Sequence, residues 1–340
     1  MVDATHISYP ADDRSYYSLL KKEIHNKAQE AGFSEKKLNT LDLVLAEMTS
    51  NLHKYTIGGE ILAGILTDAQ GDYMELICMD SGPGIADINK MMVDGFSTTN
   101  TLGNGLGSIK RLSDKFDIFS VKGWGTIVLS RVYKTEVINK RSGGTNNLEI
   151  RPLVIAKTGE QVSGDAVFYR ASGKNLKLML ADGLGHGKEA NQAVNGAVQA
   201  FIESYQDNPI EQLRYIHQKI RKTRGMVGTV VNFNLESKTL EIAGIGNISA
   251  KFLGLGGDSK NHISYNGIIG HNIPNTMNSQ QITFSDYNLL ILCSDGIKSR
   301  WDIAKYQGIH KCDSSILAAA IYKDYSRRTD DTSVVVVKLK

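Results

Sequence analysis

Residues 175–190 read NLKLMLADGLGHGKEA. Leu176, Leu178 and Leu180 alternate, which predicts a strand buried on one face and ending at Asp182. Three glycines then lead into an alanine-rich stretch, and a long helix is expected over roughly 187–205. Asp-Gly is a common turn pair, so DG alone marks only a turn. The same placement recurs, however. Asp165 stands in SGDAVF beside a strand, Asp295 follows the apolar run NLLILCS, and Asp330 with Asp331 precedes TSVVVVKLK. Burying an unpaired carboxylate costs several kcal/mol, and clustering carboxylates costs more. No lysine or arginine is interleaved with these aspartates, so hard divalent cations are the natural counter-charge.

A second set of motifs lies upstream. Glu47 and Asn51 are four residues apart and share one face of a predicted helix, beside a stripe of Leu38, Leu41, Leu45, Met48 and Leu52. DSGPGI (80–85) ends a strand, GNGLGS (103–108) runs into a helix, and WGT (124–126) lies on a later strand. The Asp80 carboxylate can accept from an exocyclic amino group, while Gly82 and Gly84 let backbone approach a flat ring. Glycines before a helix N-terminus expose N–H groups to phosphates. Each motif alone is a turn or a surface amide, but their order describes a nucleotide pocket.

Composition sets the frame. With 340 residues, 41% hydrophobic and 22% charged, the chain has room for two ordinary cores. A net charge of +3 without a basic stripe argues against nucleic acid. No apolar run is long enough for a transmembrane helix, and the polar start MVDATHISYPADDRSYY lacks signal-peptide character. A cytoplasmic location is therefore expected. Cys78 and Cys293 sit in apolar runs as small hydrophobes, and with Cys312 they show no metal-ligand spacing.

The pattern predicts helices over 12–31 and from Ser34 to about 55, then strands at 60–68 and 73–80. A short helix is expected at 108–116, followed by a hairpin over 117–133 turning at Gly123. The polar segment NKRSGGTNN reads as a linker, giving domains at 1–138 and 149–340 joined through 139–148. Seven strand-like runs and helices near 187–205, 209–223 and 314–325 follow.

The order Glu-x3-Asn, DSGPGI, GNGLGS and GT resembles the GHKL (Bergerat-fold) ATPases over about residues 10–135. Within them it is most similar to the anti-sigma-factor kinases of RsbT type. That resemblance implies an α/β sandwich with helices on one face of an antiparallel sheet, and ATP with Mg²⁺ as cofactor. Asn51 would hold Mg²⁺, Glu47 would orient or deprotonate the attacking hydroxyl, and Asp80, with Gly82 and Gly84, would receive adenine. Gly103, Gly105, Leu106 and Gly107 would wrap the phosphates, with Thr126 near adenine. Lys54 and the threonines of STTN face either nucleotide or solvent. NLHKYT departs from the usual sequence around the metal-binding asparagine, leaving transfer of phosphate and simple nucleotide binding both open.

GD, DGLGHG, SDG and DD resemble the metal-dependent PPM-type serine/threonine phosphatases of the SpoIIE/RsbX branch over about 150–340. The resemblance implies an α-β-β-α sandwich and two Mn²⁺ or Mg²⁺ ions on Asp165, Asp182, Asp295, Asp330 and the Gly183 carbonyl, with Asp182 and Asp295 catalytic. Asp331 stands beside Asp330, and the two roles can be exchanged. His186 is either a general acid or a solvated loop residue, Asn247 either reaches the site or caps a turn, and Lys188 is a candidate phosphate contact. Together the two resemblances imply a kinase and a phosphatase acting on a STAS-domain partner. An upstream signalling assembly, a downstream anti-sigma or sigma factor, and a homodimer are compatible with that role.

Overall fold

The computed structural model describes residues 5–11, 13–56, 58–88, 105–136, 148–254 and 257–339. The chain divides into two compact units. The first takes His6–Ser142 together with Ile303–Ala320, and the second takes Gly143–Asp302 together with Ile321–Lys340. Linker residues 139–147 lie outside the described residues.

The first unit begins with a strand that the sequence pattern did not announce, β1 (Thr5–Pro10). Helix α1 (Tyr17–Glu30) follows a single 3-10 turn. It buries Leu20, Ile24 and Ala28 and leaves Leu19 exposed. Gly32 ends the helix in the left-handed region, and Phe33 N–H returns to Ala28 O at 3.1 Å. Helix α2 (Glu35–Tyr55) buries Leu38, Leu41, Leu45, Met48 and Leu52, as its 3.6-residue period requires.

Strands β2 (Gly59–Asp68) and β3 (Gly71–Asp80) form the expected hairpin. Helix α3 spans Gly105–Leu112, earlier than the pattern placed it, because β4 (Lys115–Val121) already claims the following residues. Strand β5 (Gly125–Tyr133) completes an antiparallel sheet ordered β1-β2-β3-β5-β4. The helices bury their apolar faces with Tyr9, Ile61, Leu76 and Val128 in one core.

The sequence pattern gives 303–320 to the second domain, yet these residues cluster with the first unit. The reason is electrostatic. Arg131, fully buried on β5, sits opposite Glu75 in register and donates to Glu75 Oε2 at 2.6 Å. Its two terminal nitrogens donate to the Asp313 carboxylate, each at 2.9 Å. His6 Nε2 lies 3.1 Å from Glu75 Oε1, and Ser315 Oγ accepts from Arg131 at 2.9 Å.

In the second unit two antiparallel sheets form. One is ordered β12-β11-β14-β15-β6 and the other β13-β10-β9-β8-β7. The first contains β6 (Leu148–Ile155), β11 (Ser249–Leu253), β12 (Ser259–His262), β14 (Leu289–Cys293) and β15 (Thr332–Leu339). The second contains β7 (Asp165–Ser172), β8 (Asn175–Gly183), β9 (Met226–Asn234), β10 (Thr239–Ile245) and β13 (Gln280–Thr283). Helices α4 (Lys188–Glu203) and α5 (Pro209–Lys219) share a core with β7–β10 through Val194, Ala197, Phe201, Leu213 and Ile216. Helix α6 (Ser314–Tyr325) matches its expected span, and its residues up to Ala320 belong to the first unit.

Two runs that look continuous in sequence are each split between the sheets. KTLEIAGIGNISAKFLG becomes β10 and β11, and QITFSDYNLLILCSDG becomes β13 and β14. At the first break Gly246 takes φ +99°, and a Cβ there would lie 2.1 Å from Val227 Cγ1. Only glycine lets the chain leave one sheet for the other at that point.

Candidate functional site

In the first unit, Glu47 and Asn51 are half-buried on α2 and converge on the start of α3. A Cβ on Gly105 would stand 3.0 Å from Asn51 Oδ1 and 3.1 Å from Glu47 Oε2. The carboxylate and carboxamide thus lie beside the first described residue of α3, and a helix N-terminus is a place where phosphates bind favourably. Leu106 is buried beneath this turn and Gly107 lies within the same helix, with Ile109 anchoring it to the core. Gly103 lies outside the described residues, as do the threonines of STTN.

Asp80 closes β3, and its Oδ1 accepts from Gly82 N–H at 2.7 Å, which fixes the carboxylate plane. Gly84 adopts φ +73°, and a Cβ there would fall 2.2 Å from Val121 O. The DSGPGI loop is therefore pressed against β4 backbone. Thr126 is buried on β5 opposite Ser120, with the two hydroxyls 2.9 Å apart. Ser120 Oγ also accepts from Ile85 N–H at 2.8 Å. Ser120 thus ties the loop to the threonine, a role with no motif in the sequence.

In the second unit, Asp165 and Asp182 face each other across the β7–β8 ladder. Burial raises the Asp182 pKa to about 9, and the carboxylates of Asp165, Asp295, Asp330 and Asp331 push it the same way. Burial likewise raises Asp165 to about 7; the Ser294 and Ser333 hydroxyls oppose this, while Asp331 and Asp295 add to it. Asp165 Oδ2 and Asp331 Oδ2 are buried without a hydrogen-bond partner. These orphaned oxygens, in a cluster whose mutual repulsion is uncompensated, fit a divalent cation. Among the described residues, no three His, Cys, Asp or Glu side chains are gathered into a ready-made metal cage. The aspartates are brought within electrostatic reach rather than into finished coordination.

Asp331 rather than Asp330 carries the buried unpartnered oxygen, while Asp330 Oδ1 accepts from Asp331 N–H at 2.9 Å. Asp331 Oδ1 in turn accepts from Lys157 N–H at 2.9 Å. Asp295 follows β14, and Asn247 Nδ2 donates to its Oδ2 at 3.0 Å, so the amide does reach the acidic cluster. Gly183 closes β8, where a Cβ would lie 2.6 Å from Ala190 O. The turn is consequently packed tightly on α4. His186 Nδ1 lies 2.7 Å from Glu160 Oε1, an exposed pair.

The Serine/threonine-protein kinase RsbT of Bacillus subtilis (strain 168) is 40% identical over 101 residues, which span 30% of this chain and 76% of the kinase. The family model described as Stage II sporulation protein E (SpoIIE) matches residues 172–340. The chain belongs to the RsbT family, with a PPM-type phosphatase domain fused to it. Phosphoserine phosphatase RsbX of the same organism is 24% identical over 200 residues, spanning 57% of this chain and 96% of the phosphatase. A structure reported under a title on the bacterial stressosome aligns with 27% identity and a TM-score of 0.52, over 56% of this chain and 99% of that one. The crystal structure of RsbX in complex with magnesium aligns with 20% identity and a TM-score of 0.50, over 57% and 96%. In the PPM domain, the SpoIIE-matched residues include Asp182, Asp295 and Asp330 but start after Asp165, which β7 places opposite Asp182. No helix among the described residues is long and apolar enough to cross a membrane.

Proposed function

We propose that the chain is a bifunctional signalling switch. Its PPM domain removes phosphate from serine or threonine of a STAS-domain partner, and its RsbT-like region adds it from ATP. The reading rests above all on the Asp165–Asp182 pair, two acids that face each other across the β7–β8 ladder and whose pKa values burial and neighbouring carboxylates raise.

In the PPM domain Asp165, Asp182, Asp295 and Asp330, with the Gly183 carbonyl and the adjacent Asp331, would hold Mn²⁺ or Mg²⁺. When bound, such ions neutralise phosphate charge and lower the pKa of a water that attacks phosphorus. The chain's own residues prepare the site. Asn247 fixes the Asp295 carboxylate, and Lys157 N–H fixes Asp331. Burial makes the acids prefer a proton until a cation replaces it.

In the RsbT-like region the N-terminal backbone of α3 would bind phosphate oxygens, and Asp80 would accept from the adenine amino group. Asn51 would hold Mg²⁺. Glu47, beside it, would orient or take the proton of the incoming hydroxyl. Phosphoryl transfer needs positioning and charge neutralisation above all, and this set supplies both.

The deciding experiment is hydrolysis of a generic phosphate ester with Mn²⁺, with and without ATP, for wild type and Asp182→Ala. Metal-dependent turnover lost in the variant supports the phosphatase, and an ATP effect supports coupling between the functions. No turnover with any metal or with a phosphorylated STAS protein would overturn the reading. A second reading makes the first region a nucleotide-gated binding module without transfer, favoured by the unusual NLHKYT sequence after Asn51. Single-turnover assays with labelled ATP and a STAS partner separate the two.

A further inference from the structure

Phosphate oxygens are bound strongly by a guanidinium, and no arginine accompanies the first aspartate motif in this sequence. We infer that Arg224, on the loop between α5 and β9, is the residue that grips the substrate phosphate. The inference rests on the phosphatase reading above.

Register puts Arg224 there. In the β8–β9 ladder Asp182 pairs with Val227 and Gly183 with Met226. The ladder continues one step, because Leu184 N–H donates to Gly225 O at 3.1 Å. Arg224 therefore falls beside Gly185, inside the DGLGHG turn. The contact agrees, since Arg224 Nη1 lies 3.0 Å from the position of a Cβ on Gly185. Gly185 in turn borders the acidic cluster. The Gly185 carbonyl and Asp331 Oδ2 approach the same point, the place of a Cβ on Gly164, at 3.4 and 2.8 Å. Gly185 thus neighbours the Arg224 guanidinium on one side and, by way of Gly164, the carboxylate cluster on the other.

Its backbone is held. His271 Nε2 lies 2.8 Å from Arg224 O. The next residue, Gly225, takes φ +80°, and a Cβ there would strike His271 Cδ2 at 2.5 Å. The side chain is oriented as well, for Nε contacts Glu189 Oε2 at 2.5 Å in the first turn of α4. With Nε engaged by Glu189, the terminal nitrogens are the donors left to take phosphate oxygens, which a planar guanidinium can hold in pairs. The side chain is 51% exposed, so an incoming phosphoserine can reach it. His186 is engaged by Glu160 on the same turn, which leaves the histidine tied by a carboxylate where Arg224 overhangs the loop.

The test compares Arg224→Ala and Arg224→Lys with wild type in the Mn²⁺-loaded full chain. Turnover of p-nitrophenyl phosphate is followed together with inhibition by inorganic phosphate. Loss of a charge-assisted hydrogen bond is expected to raise KM and the phosphate inhibition constant together by about 10-fold, with a smaller change in kcat. The Mn²⁺ titration midpoint is expected to stay in place, and lysine to restore part of the loss. Unchanged KM and phosphate inhibition with intact Mn²⁺ binding would overturn the assignment. If wild type shows no turnover, the phosphatase reading fails, and calorimetric titration of inorganic phosphate still decides the role of Arg224. About 10-fold weaker binding to Arg224→Ala upholds it, and equal affinities refute it.

Discussion

Glu75 in the first unit is fully buried and Asp182 in the second half-buried, yet the two acids titrate in opposite directions. Burial raises both. At Glu75 burial is the largest single influence, but the Arg131 guanidinium and His6 together outweigh it and the repulsion of Asp313, and the net result is about 2. At Asp182 every charged neighbour is another carboxylate, and the result is about 9. Desolvation is common to the two; the sign of the partner decides. The first arrangement is a finished ionic network that holds residues 303–320 to their unit. In the second, carboxylates press on one another, an arrangement that suits the uptake of cations under the proposed function.

The comparison is open to direct tests. Arg131→Met should give the largest effect, because it removes the buried counter-charge that Glu75 and Asp313 share. A loss of about 3–5 kcal/mol in chemical denaturation is expected. A loss below 1 kcal/mol would mean the network is not the clamp described.

Asp182→Asn should have a divided effect. Metal-dependent phosphatase activity should fall by at least about 100-fold, more than loss of an outer partner typically costs. The metal-free protein should meanwhile melt higher, since a repelling carboxylate is gone. A metal-free melting point that drops instead would contradict the raised pKa.

The pH dependences should be opposed. The Glu75 contribution is intact above its usual value of 4.5 and is lost as pH falls toward about 2. For Asp182 the folded form prefers the proton, so its contribution is full below 3.8 and is lost as pH rises through about 9. Hydrogen-exchange protection factors over β8 in chelator, corrected for the intrinsic base catalysis of exchange, should therefore fall between about pH 4 and about 9, and excess Mn²⁺ should flatten that fall. Parallel profiles with and without metal would show that the acids are not where the cation binds.

Asn247→Ala releases the Asp295 carboxylate and should weaken Mn²⁺ binding by about 10-fold, read from the metal titration of activity. The smallest effect is expected from Ser120→Ala. Losing its bonds to Ile85 N–H and the Thr126 hydroxyl should cost about 1 kcal/mol and weaken nucleotide binding modestly. Unchanged nucleotide affinity would free the DSGPGI loop from the role given to Ser120.

Amino-acid order alone determined the elements whose signals are local. The α2 stripe, the β2–β3 hairpin, helices α4 and α6, and both glycine-rich boxes follow from periodicity and turn chemistry within a few residues. The aspartates were legible for the same reason, since each sits at the end of an apolar run. Tertiary structure decided what depends on distant partners. It split two continuous-looking runs between sheets, added β1, and moved 303–320 to the first unit. It also set Asn247 on Asp295, Ser120 under the DSGPGI loop and Arg224 beside Gly185. A sequence shows which residues are polar, but which charge faces which is fixed only when strands from different parts of the chain come into register.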